Sequence, residues 1–251
     1  MWRSFSIATA VLALAAPGLA LADDDDDGNG KLTAEPFVFI GKTGDCGTLD
    51  TGAPYPAGSR IVTSAWLGGM GLPDNGGLNT QDLEPNPNKR DPHLGLLLSK
   101  NGPTADCSSA GAEIHGVKGM QVGATFLLGF DYRNGGHCGG GAPRFNVTYT
   151  TPGGEEAFSF VGNCALGVRM PATQDPAQWT TVRFAAAAQF PPVPPGSRIK
   201  SISIIFDEGT DSPGTEDPNG VGLAVIDNIF INGDTITRGH GIADGIRRDD
   251  K

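Results

Sequence analysis

The sequence predicts an all-β protein, folded as a two-sheet antiparallel β-sandwich. Beyond the first 22 residues, helical periodicity is almost absent, while short apolar or alternating runs recur between Gly, Pro, Asn and Asp residues. The 251-residue chain contains 38 Gly and 19 Pro, a content that suits many turns and stays below that of low-complexity disorder. With 38% apolar and 18% charged residues, the composition favours a packed core over a coiled coil, a helical repeat array or a charged disordered chain.

Ten segments have the length and pattern of strands. About ten strands in one domain indicate two layers, because each sheet must bury one face against another element. The clearest alternation places Phe126, Leu128, Phe130 and Tyr132 on one face, and we predict that this face lies in the core. The predicted strands are 37–40, 60–67, 94–99, 112–117, 124–133, 144–150, 156–161, 179–186, 198–206 and 221–231.

The first 22 residues have the features of a secretory signal peptide. Arg3 precedes an apolar stretch over 7–16, and Ala20 and Ala22 form a small-x-small cleavage site. Pro17 and Gly18 interrupt the apolar stretch, which is shorter than the roughly 20 residues of a spanning helix. We therefore expect an exported protein, extracellular or periplasmic, with no membrane span. The remaining predicted regions are an acidic disordered linker over 23–34, a β-sandwich domain over 35–236 and a flexible C-terminal tail over 237–251.

The charge balance argues against nucleic-acid binding. The formal net charge is −10, from 28 acidic and 18 basic residues, and five of the acidic residues form the run 23–27. Such a balance repels a phosphate backbone, whose neutralisation by cationic side chains supplies most of the affinity for nucleic acids. The acidic run itself has the character of a solvated segment.

The four cysteines predict two disulfides. An even number of cysteines in an exported chain most simply forms disulfides. Cys138 and Cys164 lie on either side of a hairpin that turns at 152–154, and reflection about this turn brings their sulfurs together. This predicts Cys138–Cys164 and, by elimination, Cys46–Cys107.

Three segments resemble the strands of galactose-binding-like jelly-roll domains, which include many carbohydrate-binding modules. They are 125–133 (TFLLGFDYR), 179–184 (WTTVRF) and the closing 222–233 (GLAVIDNIFING). The resemblance covers about residues 120–233. It implies a jelly-roll sandwich, a glycan ligand and a structural calcium ion beside the aspartate of the closing strand.

The segment 221–231 contains a physical conflict that is independent of any family. Both of its alternating faces are largely apolar, so whichever face points inward buries either Asp227 or Asn228. A buried carboxylate needs hydrogen-bond donors or a cation, and Ca²⁺ takes oxygen ligands. The alternative is that Asp227 or Asn228 accepts backbone amides at a strand end. The predicted calcium ligands are Asp207, Glu208, Asp211 and Asp227, with Glu35, Glu216 and Asp217 as further candidates.

Glycan-binding sites usually combine an exposed aromatic ring with polar side chains. The two tryptophans of the mature chain, Trp66 and Trp179, lie in strand-like runs and are predicted to be core residues. Tyr55 lies between two prolines in a glycine-rich loop and is predicted to be exposed, and three polar residues follow or end the strand 124–133. The predicted ligand-binding residues are Tyr55, Arg133, Asn134 and His137.

No catalytic residues are predicted. The sequence has no nucleophile elbow, zincin motif, phosphate-binding loop or dinucleotide fingerprint. The first functional hypothesis is a non-catalytic, lectin-like module that binds a glycan. The second is a structural or adhesive protein that binds other extracellular proteins through two long polar loops, 68–92 and 207–220. The third is a polysaccharide-degrading enzyme on the same fold.

Overall fold

Two antiparallel sheets pack face to face in a sandwich, which confirms the predicted fold class. The computed structural model describes residues 31–49, 51–58, 61–73, 93–215 and 217–244. The predicted signal peptide, the acidic run 23–27, most of the loop 68–92, Glu216 and residues 245–251 lie outside the described residues. Among the described residues no helix combines the length and the apolar character that a membrane crossing requires.

The smaller sheet has five strands. Across the sheet they are β1 (Thr33–Ile40), β4 (Ser108–His115), β10 (Arg198–Phe206), β6 (Arg144–Thr150) and β7 (Glu156–Gly162). The larger sheet runs in the order β13 (Ile242–Asp244), β2 (Val62–Gly68), β3 (Leu94–Lys100), β11 (Leu223–Ile231), β5 (Leu127–Arg133), β9 (Trp179–Ala185) and β8 (Val168–Pro171). A short β12 (Asp234–Ile236) pairs with β11. One side of the sandwich is therefore formed by the edges β1 and β13, and the other by the edges β7 and β8.

All ten predicted strands are present, with bounds that differ by a few residues. The predicted core face of β5 is confirmed, because Phe126, Leu128, Phe130 and Tyr132 are buried. Trp66 and Trp179 are buried as well. The sequence did not predict β8, β12 and β13, which are only three or four residues long and therefore too short to show a periodicity.

The folded part of the chain extends beyond the predicted domain bounds at both ends. β1 begins at Thr33, inside the predicted linker. Residues 242–244 form β13 and pair with β2, although the sequence analysis places a flexible tail from residue 237 onward. The reason is that the strand β13 needs only backbone hydrogen bonds to an open edge, and such pairing leaves no strong pattern in the side chains.

A β-bulge resolves the conflict between the two apolar faces of β11. Two residues of β11 separate Asp227 and Phe230, whereas a single residue separates their partners in β5, and Asn228 has φ 45°. The extra residue changes the phase of the strand, so that Ile226 faces the core before the bulge and Ile229 faces it afterwards. Asp227 consequently lies on the outer face of the larger sheet, beneath Leu72.

Both predicted disulfides are present. Cys46–Cys107 and Cys138–Cys164 close separations of 61 and 26 residues. Cys138 and Cys164 belong to the main core cluster, and their bond ties the loop after β5 to the loop after β7.

Candidate functional site

A groove of about 370 Å³ opens on the side of the sandwich where β7 and β8 form the edges. Phe160 and Phe190 form one wall, and Leu166 and Val168 form the other. These four side chains are exposed, and Phe190 and Leu166 have 86% and 82% of their surface open to solvent. Most exposed apolar side chains on a protein surface are isolated, so this concentration marks the groove as a candidate binding site.

The alternation of β7 places its aromatic rings on the outer face of the sheet. Ser159 and Val161 point inward, so Phe158 and Phe160 point outward, with ring centroids 4.8 Å apart. The guanidinium of Arg144 lies 5.1 Å from the ring centroid of Phe160. This cation–π contact and the neighbouring ring hold Phe160 in place.

The second aromatic ring is held by a segment that covers the edge of β7. The backbone N–H of Gly162 donates to Oε1 of Gln189 at 3.1 Å, and Oγ of Ser159 donates to the carbonyl of Pro191. Phe190 lies between these anchors and forms an isolated bridge with Phe160. The anchors fix the backbone of Phe190 while its ring stays in solvent.

The opposite wall follows the disulfide-linked Cys164. Asn163 has φ 79° and accepts the N–H of Ala165 through its side-chain oxygen at 3.1 Å. The edge strand β8 carries Arg169 and Pro171, residue types that hinder the addition of another strand. The wall therefore offers side chains to a ligand rather than a free strand edge.

The predicted ligand-binding residues do not lie in this groove. Arg133 and Asn134 are close to one another at the end of β5, where Arg133 donates to Gln178 at 3.3 Å and Asn134 accepts from Thr180 at 2.7 Å. Tyr55 belongs to the loop near Cys46 and is half-buried, with its backbone bonded to Gly44 and Gly47.

His137 occupies the interior and has no exposed surface, so a glycan in solvent cannot reach it. Its Nε2 makes a short hydrogen bond to Glu208, and its Nδ1 lies 3.7 Å from a carboxylate oxygen of Asp217 without forming a hydrogen bond. The ring packs edge-on against Phe206 at 5.5 Å between centroids. This arrangement joins the 207–220 loop to the core.

The other acidic residues predicted as calcium ligands also have protein partners of their own. Asp207 forms a bidentate ion pair with Arg144, in which the two terminal guanidinium nitrogens donate to the two carboxylate oxygens at 2.6 and 2.7 Å. Asp211 accepts the backbone and side chain of Thr104, and these hydrogen bonds hold the pKa of Asp211 below its usual value. Among the described residues, no three acidic, His or Cys side chains are grouped in a way that could hold a metal ion. Asp207, Glu208, Asp211 and Asp227 are therefore not brought together as a calcium shell.

Asp227 accepts two backbone amides, the arrangement considered as the alternative to calcium. The amide of Leu72 donates at 2.8 Å and that of Asn228 at 2.6 Å. Asp131 lies opposite on β5 and accepts from Thr181 and from the side chain of Asn228. Burial raises the pKa of Asp227 to about 7, and repulsion from Asp131 adds to this rise, while the two amides oppose it.

The groove was not predicted from the sequence, because the exposed aromatic ring was expected in a loop, at Tyr55, and the tryptophans of strand-like runs in the core. The alternation Phe158, Ser159, Phe160 was a usable signal, since two apolar side chains two residues apart share a face. Which face is covered depends on the order of strands in the sheet, which the pattern does not give.

Neither the family models, nor the curated proteins, nor the solved structures contain a match to this chain. The interpretation of function therefore starts from the geometry of the groove.

Proposed function

We propose that this protein is an exported, non-catalytic binding module that holds a glycan in the groove between β7 and β8. The observation that carries the proposal is the pair Phe160 and Phe190, two exposed aromatic rings held on one wall of a concave site. Aromatic rings bind the apolar C–H face of a sugar ring, because they offer a large, rigid surface at little entropic cost.

The polar residues of the groove suit sugar hydroxyl groups. Asn163 and Gln189 line it, and each uses its side-chain oxygen to accept a backbone N–H, which fixes the orientation of the amide. The volume of about 370 Å³ lies within the range of small-ligand sites. The described lining consists of apolar and amide side chains with two arginines, a composition that supports binding of a sugar rather than acid–base catalysis on it.

Export is part of the proposal. The signal-peptide pattern of residues 1–22 predicts it, and two disulfides fit an oxidising compartment. No free cysteine occurs among the described residues, and all four cysteines of the chain are paired.

A second candidate function is binding to another extracellular protein through the same side of the sandwich. Phe158 and Met170 extend the apolar surface beyond the two walls of the groove, and both are exposed. Contiguous exposed apolar surface, unlike single exposed apolar side chains, is typical of protein-binding sites. This candidate differs from glycan binding in the role it gives to Met170, which is not part of the groove lining.

The two candidates are separated by binding measurements on single alanine variants. We expect the mature, disulfide-bonded chain to bind a member of a glycan array, and Phe190→Ala to weaken that binding at least tenfold, because it removes an exposed stacking surface. Met170→Ala lies outside the groove lining and should leave glycan affinity within about twofold. Ile242→Ala, on the opposite side of the sandwich, is the matched control for loss of an exposed apolar side chain.

Absence of glycan binding by a folded chain, as judged by circular dichroism, would contradict the proposal. Equal losses for Met170→Ala and Phe190→Ala in binding to a protein from the same extracellular medium would favour the second candidate.

A further inference from the structure

We propose that a second pocket, on the β1–β13 side of the sandwich, binds the oxyanion group of an acidic saccharide, a carboxylate or a sulfate ester. The pocket has a volume of about 340 Å³ and lies between the start of β1, the end of β4 and residues 238–240. It is separate from the groove between β7 and β8, and the inference does not depend on glycan binding there.

Trp66 holds the two walls of this pocket in place. Its Nε1 donates to the carbonyl of Ala34 at 2.9 Å, and its backbone N–H donates to the carbonyl of Gly241 at 3.1 Å. Gly239 lies so close to the indole that a Cβ at this position would collide with the ring. The backbone on either side of Gly239 is therefore fixed, and Arg238 and His240 are presented from a defined position.

The pocket contains side-chain hydrogen-bond donors that have no protein partner. Within the described part of the chain, the side chains of Lys31, Arg238 and His240 form no hydrogen bond or ion pair. The acidic residue of the lining, Glu35, is paired with His115 at 3.0 Å. The three donors are exposed around one concavity, and the neighbouring carboxylate is already paired, so an anion can take the place of water on them.

The local charge differs from that of the whole chain. Of the acidic residues behind the formal net charge of −10, five form the run 23–27, which lies outside the described residues. Charges farther away than a Debye length of about 8 to 10 Å are largely screened at physiological salt. In the pocket, Lys31 and Arg238 carry two full positive charges against the one negative charge of Glu35. Glu113 lies opposite Glu35 across β1 and β4 and reduces the excess without being part of the lining.

An oxyanion on a sugar fits this donor set better than a neutral sugar does. The guanidinium of Arg238 can bind a carboxylate or sulfate through two parallel hydrogen bonds, and Lys31 adds a point charge. The volume of about 340 Å³ is larger than a free carboxylate or sulfate needs. A saccharide residue would fill the remaining space.

The test measures binding to the mature chain by isothermal titration calorimetry with three probes: a sulfated oligosaccharide, an oligogalacturonate and sodium sulfate. We expect one of the oligosaccharides to bind, with affinity that falls as salt is raised from about 50 to 300 mM, because the contact is between exposed charges. Arg238→Gln should weaken this binding at least fivefold. Arg169→Gln removes an exposed arginine from the opposite side of the sandwich and should leave the affinity unchanged.

Sodium sulfate that binds as tightly as the oligosaccharides, with the same loss in Arg238→Gln, would support the anion site and identify its ligand as a free anion. No binding of any probe, or binding that Arg238→Gln does not change, would overturn the proposal. Phe190→Ala tests whether the pocket depends on the groove. Unchanged binding of the acidic probes in that variant shows that the two sites bind independently.

Discussion

The two sides of the sandwich differ in the chemistry that they present and in the way they are held. The β7–β8 side exposes aromatic and aliphatic side chains around a groove, and the Cys138–Cys164 bond lies behind one of its walls. The β1–β13 side exposes Lys31, Arg238 and His240 around a pocket whose walls are held by Trp66. One scaffold can therefore build two unlike surfaces, because the edges of a sandwich lie outside the shared core and are free to differ.

Asp227 provides the test with the largest expected effect, since it lies on β11 near the centre of the larger sheet, between the two sides. The pKa of Asp227 is raised from 3.8 to about 7, so the folded state holds a proton there that the unfolded state releases. Between about pH 4 and pH 7 the folded state therefore binds more protons, and stability falls as pH rises through this window.

As the pH rises from 4 to 8, we expect the wild-type protein to lose roughly 2 to 4 kcal/mol more unfolding free energy than Asp227→Asn does. Urea unfolding of both proteins at several pH values measures this difference. A constant difference between the two proteins across the range would contradict a buried, proton-holding Asp227. Because β11 lies between the two sides, we expect Asp227→Asn to change the affinity of the groove and the affinity of the pocket by the same factor.

The Cys138–Cys164 bond is the test that should separate the two sides. Replacing both cysteines by serine releases a loop of 26 residues, and we expect a loss of about 3 kcal/mol in unfolding free energy. At temperatures where the variant remains folded, glycan affinity in the groove should fall because Asn163 adjoins Cys164, whereas affinity of the acidic probes on the β1–β13 side should hold. Equal losses at both sites would show that the disulfide stabilises the sandwich as a whole and would remove this distinction. Cys46→Ser with Cys107→Ser is the matched control.

Calcium gives the smallest expected effect. The resemblance to jelly-roll modules predicts calcium beside Asp227, while the structure gives this carboxylate two amide donors and places Asp131 opposite it. Asp227→Ala should lower the melting temperature by a few degrees in chelator, because it removes both hydrogen bonds. If calcium binds, the melting temperature should fall further in calcium buffer than in chelator. Equal shifts in the two buffers would assign the whole effect to the lost hydrogen bonds.

The sequence predicted those parts of the fold that depend on local pattern. The alternation of Phe126 to Tyr132 identified a core strand, and the turn at 152–154 identified the Cys138–Cys164 pair, because both signals are contained within a few tens of residues. The bulge at Asn228 was not predicted, although the conflict that it resolves was visible in the alternation of β11.

The candidate sites were predicted less well, because they depend on which strands become edges. Phe160 points away from the core on the edge strand β7 and is 48% exposed, and the pattern of β7 alone does not contain that fact. His137 was predicted to bind a ligand from its place after β5, but the loop 207–220 folds over it and brings Glu208 and Asp217 to its ring. Contacts between segments about 70 residues apart leave no periodic signal.

The placement of the groove and the pocket on opposite edges of the strand order has a consequence for valency. Two sites that face away from each other can be filled at the same time. If both proposed sites bind glycans, one copy of the chain would connect two polymers without forming a dimer. Once one site is occupied, the second binding event takes place at a raised effective concentration, so two weak contacts give a stronger attachment than either one alone.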